Sequence, residues 1–289
     1  MSVAVVQAII NGVLIGGFYS LIGMGLSVIF GVMKIINFCQ GELLMIGMYL
    51  SFVFYVGFGL DPYLSIPLVA ACLFALGSLV QHSLITPSLG TKSFTNVLFL
   101  TVGLGILFVN LMQIIFGSDF RSIQTAFSGM TLGGSTPFTI SVPRLISLGV
   151  VILVATALFY FLKYTTTGKR IRATSQNPVG AQIVGINVKL TYMITYGLGA
   201  ALAGVAGALL IPFFFVFPTV GATFGTRAFI VVVIGGLGNI KGAFAAGIFL
   251  GVMETVSALL AGPTYRDIVV FLVFILILIA RQKLKLREA

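Results

Sequence analysis

Read from its N-terminus, the chain alternates long apolar stretches with short polar interruptions. The stretches are too long for the strands or one-sided helices of a water-soluble domain. Val3–Met33 carries no charged residue, and neither do Leu43–Leu60, Ser93–Ser118, Leu145–Leu162 or Leu190–Thr226. Each can supply the ~20 mainly apolar residues that a helix needs to cross a hydrocarbon core of roughly 30 Å. The runs are apolar on every face, whereas an outer-membrane barrel would read as alternating segments of about 10 residues. The pattern predicts an all-α fold, a polytopic integral membrane helical bundle of about eight or nine transmembrane helices, with residues 1–289 forming one transmembrane domain. The first basic residue is Lys34, after the first run, so that run is expected to be a true span and not a removable signal peptide.

Composition and charge then give the bundle a direction. Hydrophobic residues make up 59% of the chain and charged ones 8%, which leaves the bilayer as the solvent. A net charge of +10 could signal nucleic-acid binding, but its distribution points to membrane topology instead. Lys163, Lys169, Arg170, Arg172 and Lys189 share one interval without an acid, and Arg281, Lys283, Lys285 and Arg287 crowd the tail. Both segments are predicted to be cytoplasmic. Nine spans then put the N-terminus and the Ser/Thr/Gly-rich stretch Ser122–Pro143 outside; eight would require reassigning one terminus. Lys34, Lys92 and Lys241 fall inside on this threading. Arg121, Arg144, Arg227 and Arg266 fall outside, together with Asp61, Asp119 and Asp267. Gly221, Gly225, Gly235, Gly236 and Gly238 interrupt 219–241, which reads as a short span or a re-entrant segment.

Candidate chemistry is sparse. Cys39 and Cys72 are too few for a disulfide framework, and the lone His82 excludes a histidine-based metal cluster, so neither a metal nor a cofactor is expected. No phosphate loop of the G-x-x-x-x-G-K-[ST] type occurs, and no nucleophile, base and orienting acid stand at recognisable spacing, so the chain does not read as an enzyme. Stripes of small residues suit close helix packing: Gly199, Ala203 and Gly207; Ala200, Gly204 and Ala208; Gly12, Gly16 and Ser20; and Ala243, Gly247 and Gly251. Polar residues at membrane depth are the candidates for a pathway or gate, because they are costly to bury. They are Asn37, Gln40 and Glu42 around Gly41, then Asn239 beside Lys241 and Gly242, and Glu254. Structural hydrogen bonding at a helix break, and a structural ion pair for Glu254, are the competing readings.

The basic interval at about 165–189 is the most legible segment. Asn177 suits an N-cap, Pro178 the first helical position and Gly185 the position past the end, which predicts a short helix over Pro178–Val184. So short a helix is marginal alone and must dock through Val179, Ile183 and Val184, on its own bundle, on lipid headgroups or in the groove of a soluble partner.

Three blocks of the chain resemble, in order, blocks of the branched-chain amino acid ABC transporter permease family. One is Gly168-x-x-x-Arg172-Ala173, then Asn177-Pro178, then Ala181-x-x-x-Gly185-Ile186, which is similar to the family's coupling loop. The others are Ile36-Asn-Phe-Cys-Gln-Gly-Glu-Leu-Leu-Met-Ile-Gly-Met-Tyr49 and Val233-Ile-Gly-Gly-Leu-Gly-Asn-Ile-Lys-Gly-Ala-Phe-Ala-Ala-Gly247. The chain departs from the family's Asn-Phe-Ala-His-Gly motif at Cys39 and Gln40. Those departures bear on the cargo more than on the class of transporter. The resemblance implies an inner-membrane importer subunit, the shorter of two permeases that form a heterodimer. Two ABC ATPase subunits and a periplasmic substrate-binding protein would complete the machine. It also implies ATPase coupling through Arg170, Arg172, Asn177, Pro178, Ala181 and Gly185. The cargo would be branched-chain amino acids. Urea or short amides carried by the same machinery, or a stand-alone secondary transporter, are the alternatives.

Overall fold

The computed structural model describes residues 2–89, 94–125, 127, 129–132 and 140–288. Lys92, the 133–139 part of the predicted external stretch, and the side chains of Arg281, Lys283, Lys285 and Arg287 lie outside the described residues. Among the described residues, eight helices are long and apolar enough to cross a membrane. They are α1 (Ser2–Met33), α2 (Gln40–Phe58), α3 (Pro62–Val80, extended by a π turn Gln81–Ile85 and by α4, Thr86–Leu89), α5 (Phe94–Phe116), α6 (Val142–Tyr164), α9 (Val188–Leu210), α11 (Ile240–Ala261) and α12 (Arg266–Glu288). Between α6 and α9 lie the short α7 (Thr166–Gln176) and α8 (Pro178–Ile183). A ninth apolar helix, α10 (Val220–Gly235), has 16 residues and is therefore only about 24 Å long, short of a full hydrocarbon core. The ambiguous 219–241 region thus holds one short helix, followed by a glycine-containing turn into α11. A two-residue β-ribbon, Thr131–Leu132 with Ile140–Ser141, precedes α6.

α1 and α9 run through the middle of the bundle and are buried along most of their length, while α12 lies on the rim, almost wholly exposed. Water cannot drive apolar helices together inside a bilayer, so close backbone approach must hold them. The small-residue stripes provide it. Gly12 and Gly16 of α1 lie directly on Gly251 and Gly247 of the antiparallel α11. Hydroxyls tie the same seam: Ser20 Oγ donates to Phe244 O at 2.7 Å, and Thr255 Oγ1 donates to Ala8 O at 2.8 Å. On α9, Gly204 approaches Leu73 of α3 while Gly207 meets the backbone of α2 at Leu44 and Met48.

The two ends of the bundle differ in charge. Lys163, Arg172 and Lys241 converge on one cavity at the end where α1 and α6 finish. At the opposite end Arg121 pairs with Val216 through the backbone, and Tyr63 Oη donates to Pro143 O at 2.9 Å.

Candidate functional site

A helix break inside the bundle gathers four of the six polar candidates. α1 stops at Met33, the chain reverses through Lys34 at φ 57°, and α2 does not begin until Gln40. Gln40 sits beside Gly25, where a Cβ would come within 2.7 Å of both Gln40 Nε2 and Gly199 O. Gly25 is eight residues before the end of α1, so α2 starts about 12 Å inside the bundle. Both amides there are hydrogen-bonded through nitrogen and oxygen. Gln40 Nε2 donates to Gly199 O at 3.0 Å, and Asn37 Nδ2 donates to Gln40 Oε1 at 3.1 Å. Asn37 Oδ1 accepts from Tyr196 Oη at 3.1 Å and from Cys39 N at 3.2 Å. Asn37 and Gln40 are buried. They fasten the break to α9.

Gly41 and Glu42 have different surroundings. A Cβ on Gly41 would collide with the carbonyl of Gly221 and approach Gly225 N at 2.7 Å, so the first turns of α2 and α10 meet backbone to backbone. Neither helix start carries a side-chain cap, at Cys39 or at Thr219. Glu42 lines a groove of about 330 Å³ with Phe38, Val102, Gly105, Ile106, Val109 and Asn110. Its Oε2 is buried and has no hydrogen-bond partner among the described residues. An unpartnered carboxylate is costly inside a membrane bundle, which sets Glu42 apart from the satisfied amides of Asn37 and Gln40.

The other two candidates stand apart. Asn239 caps α11 at the basic end, its Oδ1 accepting from Gly242 N at 3.0 Å. Glu254 is buried at the opposite end, where it accepts from Arg227 Nη2 at 2.8 Å, with Arg266 Nε at 3.3 Å. Asp267 closes the cluster at 3.2 Å from Arg227 and 3.4 Å from Arg266, and the Arg227 guanidinium lies 5.9 Å from the Tyr19 ring centroid. Two cations and two anions thereby tie α10, α11 and α12 together.

Arg227, expected on the external side, lies two turns inside α10. The glycines that read as interruptions are contact points: Gly221 and Gly225 face Gly41, and Gly235 faces Gly242. Without water to compete for its backbone groups, α10 runs through Gly221 and Gly225 and ends at Gly235, whereas Gly236 and Gly238, at φ 95° and 81°, do break the helix in the turn before α11. Sequence reasoning also missed Tyr196 and Tyr19. The partners of the first lie 159 residues away, and no local pattern signals that.

The basic segment at about 165–189 is built from caps. Thr165 Oγ1 accepts from Gly168 N at 3.0 Å to start α7, which buries Gly168, Ile171 and Thr174 and exposes Lys169, Arg170 and Arg172. Arg172 Nη1 donates to Leu162 O at 2.6 Å and to Lys163 O at 3.1 Å, which closes the C-terminus of α6. Asn177 Oδ1 accepts from Gly180 N at 2.9 Å, with Pro178 in the first helical position. α8 ends at Ile183, one residue earlier than predicted. Its exit is a left-handed closure: Gly185, at φ 81°, donates to Gln182 O at 3.0 Å, and Ile186 N donates to Ala181 O at 2.9 Å. Ala181 is buried, whereas Val179, Ile183 and Val184 are 65%, 82% and 74% exposed and form an apolar tip on a basic loop.

The sequence profile of the family described as "Branched-chain amino acid transport system / permease component" matches residues 8–278. The chain is 33% identical to the high-affinity branched-chain amino acid transport system permease protein LivH of Salmonella typhimurium, over 94% of this chain and 92% of that protein. It is 31% identical to the corresponding permease protein BraD of Pseudomonas aeruginosa, over 95% and 93% respectively. A shorter likeness, 31% over 52% of this chain and 46% of the relative, links it to the ribose import permease protein RbsC of Escherichia coli. No solved structure matches the chain. With nearly its whole length matched by the profile and by these relatives, the chain belongs to the family of permease components of branched-chain amino acid transport systems.

Proposed function

We propose that the chain is the pathway-forming permease subunit of an ATP-binding-cassette importer that carries branched-chain amino acids across the inner membrane by alternating access. The observation that carries the ATP-driven part is α8. It is a capped, six-residue helix whose apolar tip stands exposed on a basic loop, in a chain with no phosphate loop of its own. Such a tip fits a groove in a separate ATPase subunit, with Arg170 and Arg172 flanking the approach. The basic end is then cytoplasmic, the N-terminus outside and the C-terminus inside. A second permease, two ATPases and a periplasmic binding protein complete the transporter. The names of the whole-length relatives support the cargo.

Glu42 is the residue we assign to the pathway. The groove it lines opens between α2 and α5 beside exposed Ile106, so the second permease would close it. An ammonium group would neutralise Glu42, and an aliphatic side chain would lie against Phe38, Val102 and Val109. Asn37, Gln40 and Gly41 hold the break that places Glu42 there, while Asn239 and Glu254 serve the ends of α11. Uptake by a Glu42→Gln transporter tests this assignment: KM for leucine should rise while assembly with the ATPases is unchanged. Unaltered uptake kinetics would remove Glu42 from the pathway.

A further inference from the structure

The cytoplasmic-side cavity where α1, α6, α7 and the α10–α11 turn converge lies apart from the Glu42 groove and shares only Arg172 with the residues assigned to ATPase coupling. It has a volume of about 440 Å³ and is lined by three cations, Lys163, Arg172 and Lys241. Its inner wall is apolar, from Val28 and Val32 of α1, Leu162 of α6 and Ile171 of α7. Ser175 and Asn239 add polar groups, and Ser27, also in the wall, has a buried hydroxyl without a hydrogen-bond partner among the described residues.

Among the described residues, no carboxylate answers this charge. Of the six acids in the chain, Glu42 lies at the helix break, Asp61, Asp119, Glu254 and Asp267 belong to the opposite end, and Glu288 is at the tail. α7 presents Lys169, Arg170 and Arg172 outward over a buried Ile171, the division of a helix lying at headgroup level. We infer that this cavity binds the headgroup of an anionic phospholipid. Its phosphodiester would sit among Lys163, Arg172 and Lys241, and the start of an acyl chain would lie along Val28, Val32 and Leu162. Basic pockets between transmembrane helices on the cytoplasmic side suit such headgroups. A free phosphate would leave the apolar wall unused, as would an acidic peptide. The bound lipid would bridge the end of α6 and the second half of α7 to the end of α1 and the start of α11, next to the segment that meets the ATPases.

The test uses the assembled transporter in detergent, with native mass spectrometry after adding dioleoyl phosphatidylglycerol or dioleoyl phosphatidylcholine. The wild-type complex should retain phosphatidylglycerol over phosphatidylcholine by about tenfold or more, as expected for several lysine and arginine contacts. Lys163→Gln/Lys241→Gln should lose that preference, and Lys163→Arg/Lys241→Arg should keep it. A photocrosslinker at Ser175, in a chain otherwise wild type, reads the occupant independently of any charge change and should capture lipid. Equal retention of the two lipids by the wild type would overturn the inference, and so would displacement of phosphatidylglycerol by equimolar glycerol phosphate. Capture of an ATPase subunit at Ser175 would reassign the cavity to a protein contact.

Discussion

Replacing Gly185 separates the geometry of α8, the proposed coupling helix, from everything else in the bundle. The residue adopts φ 81°, and a Cβ built there meets nothing within 4 Å, so a side chain would act through backbone strain alone and not through collision. That backbone carries the closure of α8, because the Gly185–Gln182 and Ile186–Ala181 hydrogen bonds both depend on the left-handed turn. An alanine at such a position costs about 1 kcal/mol and a β-branched residue about 2–3 kcal/mol, while asparagine tolerates it within a few tenths. A helix of six residues has no other reserve of stability. If docking on the ATPase requires the closed form, the apparent Kd for the ATPase should rise about fivefold in Gly185→Ala and roughly 30- to 150-fold in Gly185→Val, with Gly185→Asn near wild type. Titrating ATPase subunits against the permease in nanodiscs measures the series, and leucine uptake should fall in the same order. Wild-type affinity in Gly185→Val would refute the coupling role. An asparagine variant as damaged as the valine one would show that φ is not the operative variable.

Three further outcomes follow from the packing. Arg227→Leu leaves buried Glu254 with the Tyr19 hydroxyl and half-exposed Arg266 beside it, and about 2–3 kcal/mol of destabilisation is expected. The thermal midpoint of the solubilised complex should drop, and Arg227→Leu/Glu254→Leu should recover most of the loss; additive losses would deny the coupling. Gly41→Ala drives a methyl into the Gly221 backbone and should cut the yield of folded protein, whereas Gly105→Ala, whose Cβ meets Glu42 no closer than 3.5 Å, should not. For topology, the exposed Gln182→Cys and Thr264→Cys should react with an impermeant thiol reagent from opposite faces of the membrane, Gln182→Cys from the cytoplasm. Thr174 is fully buried and would be a poor reporter.

What could be read in the sequence is what the bilayer and local backbone rules impose. The spans are legible because a hydrocarbon core demands long apolar runs. α8 is legible because Asn177, Pro178 and Gly185 each answer a local backbone requirement. α10 was harder: within a membrane, glycine marks close approach as readily as a break, and Gly221 and Gly225 belong to the first kind. With 219–241 readable as either a short span or a re-entrant segment, neither the place of Arg227 on a helix nor its bond to Glu254 was legible. The same limit applies to the polar break. Asn37 and Gln40 stood out as polar residues among apolar ones, but Tyr196 and Gly199, which satisfy them, lie on a helix far along the chain. Asn239, which shares a polar, glycine-flanked setting with that cluster, caps another helix altogether.

The central claim is ATP-driven import of branched-chain amino acids through this subunit. Reconstituting it in proteoliposomes with its partner permease, the two ATPases and the binding protein tests that claim most directly. The reading predicts accumulation of radiolabelled leucine that requires ATP on the α8 side and binding protein on the other, and that isoleucine and valine compete. Accumulation that proceeds without the ATPases under an ion gradient, or that carries urea or acetamide and leaves leucine outside, would contradict it.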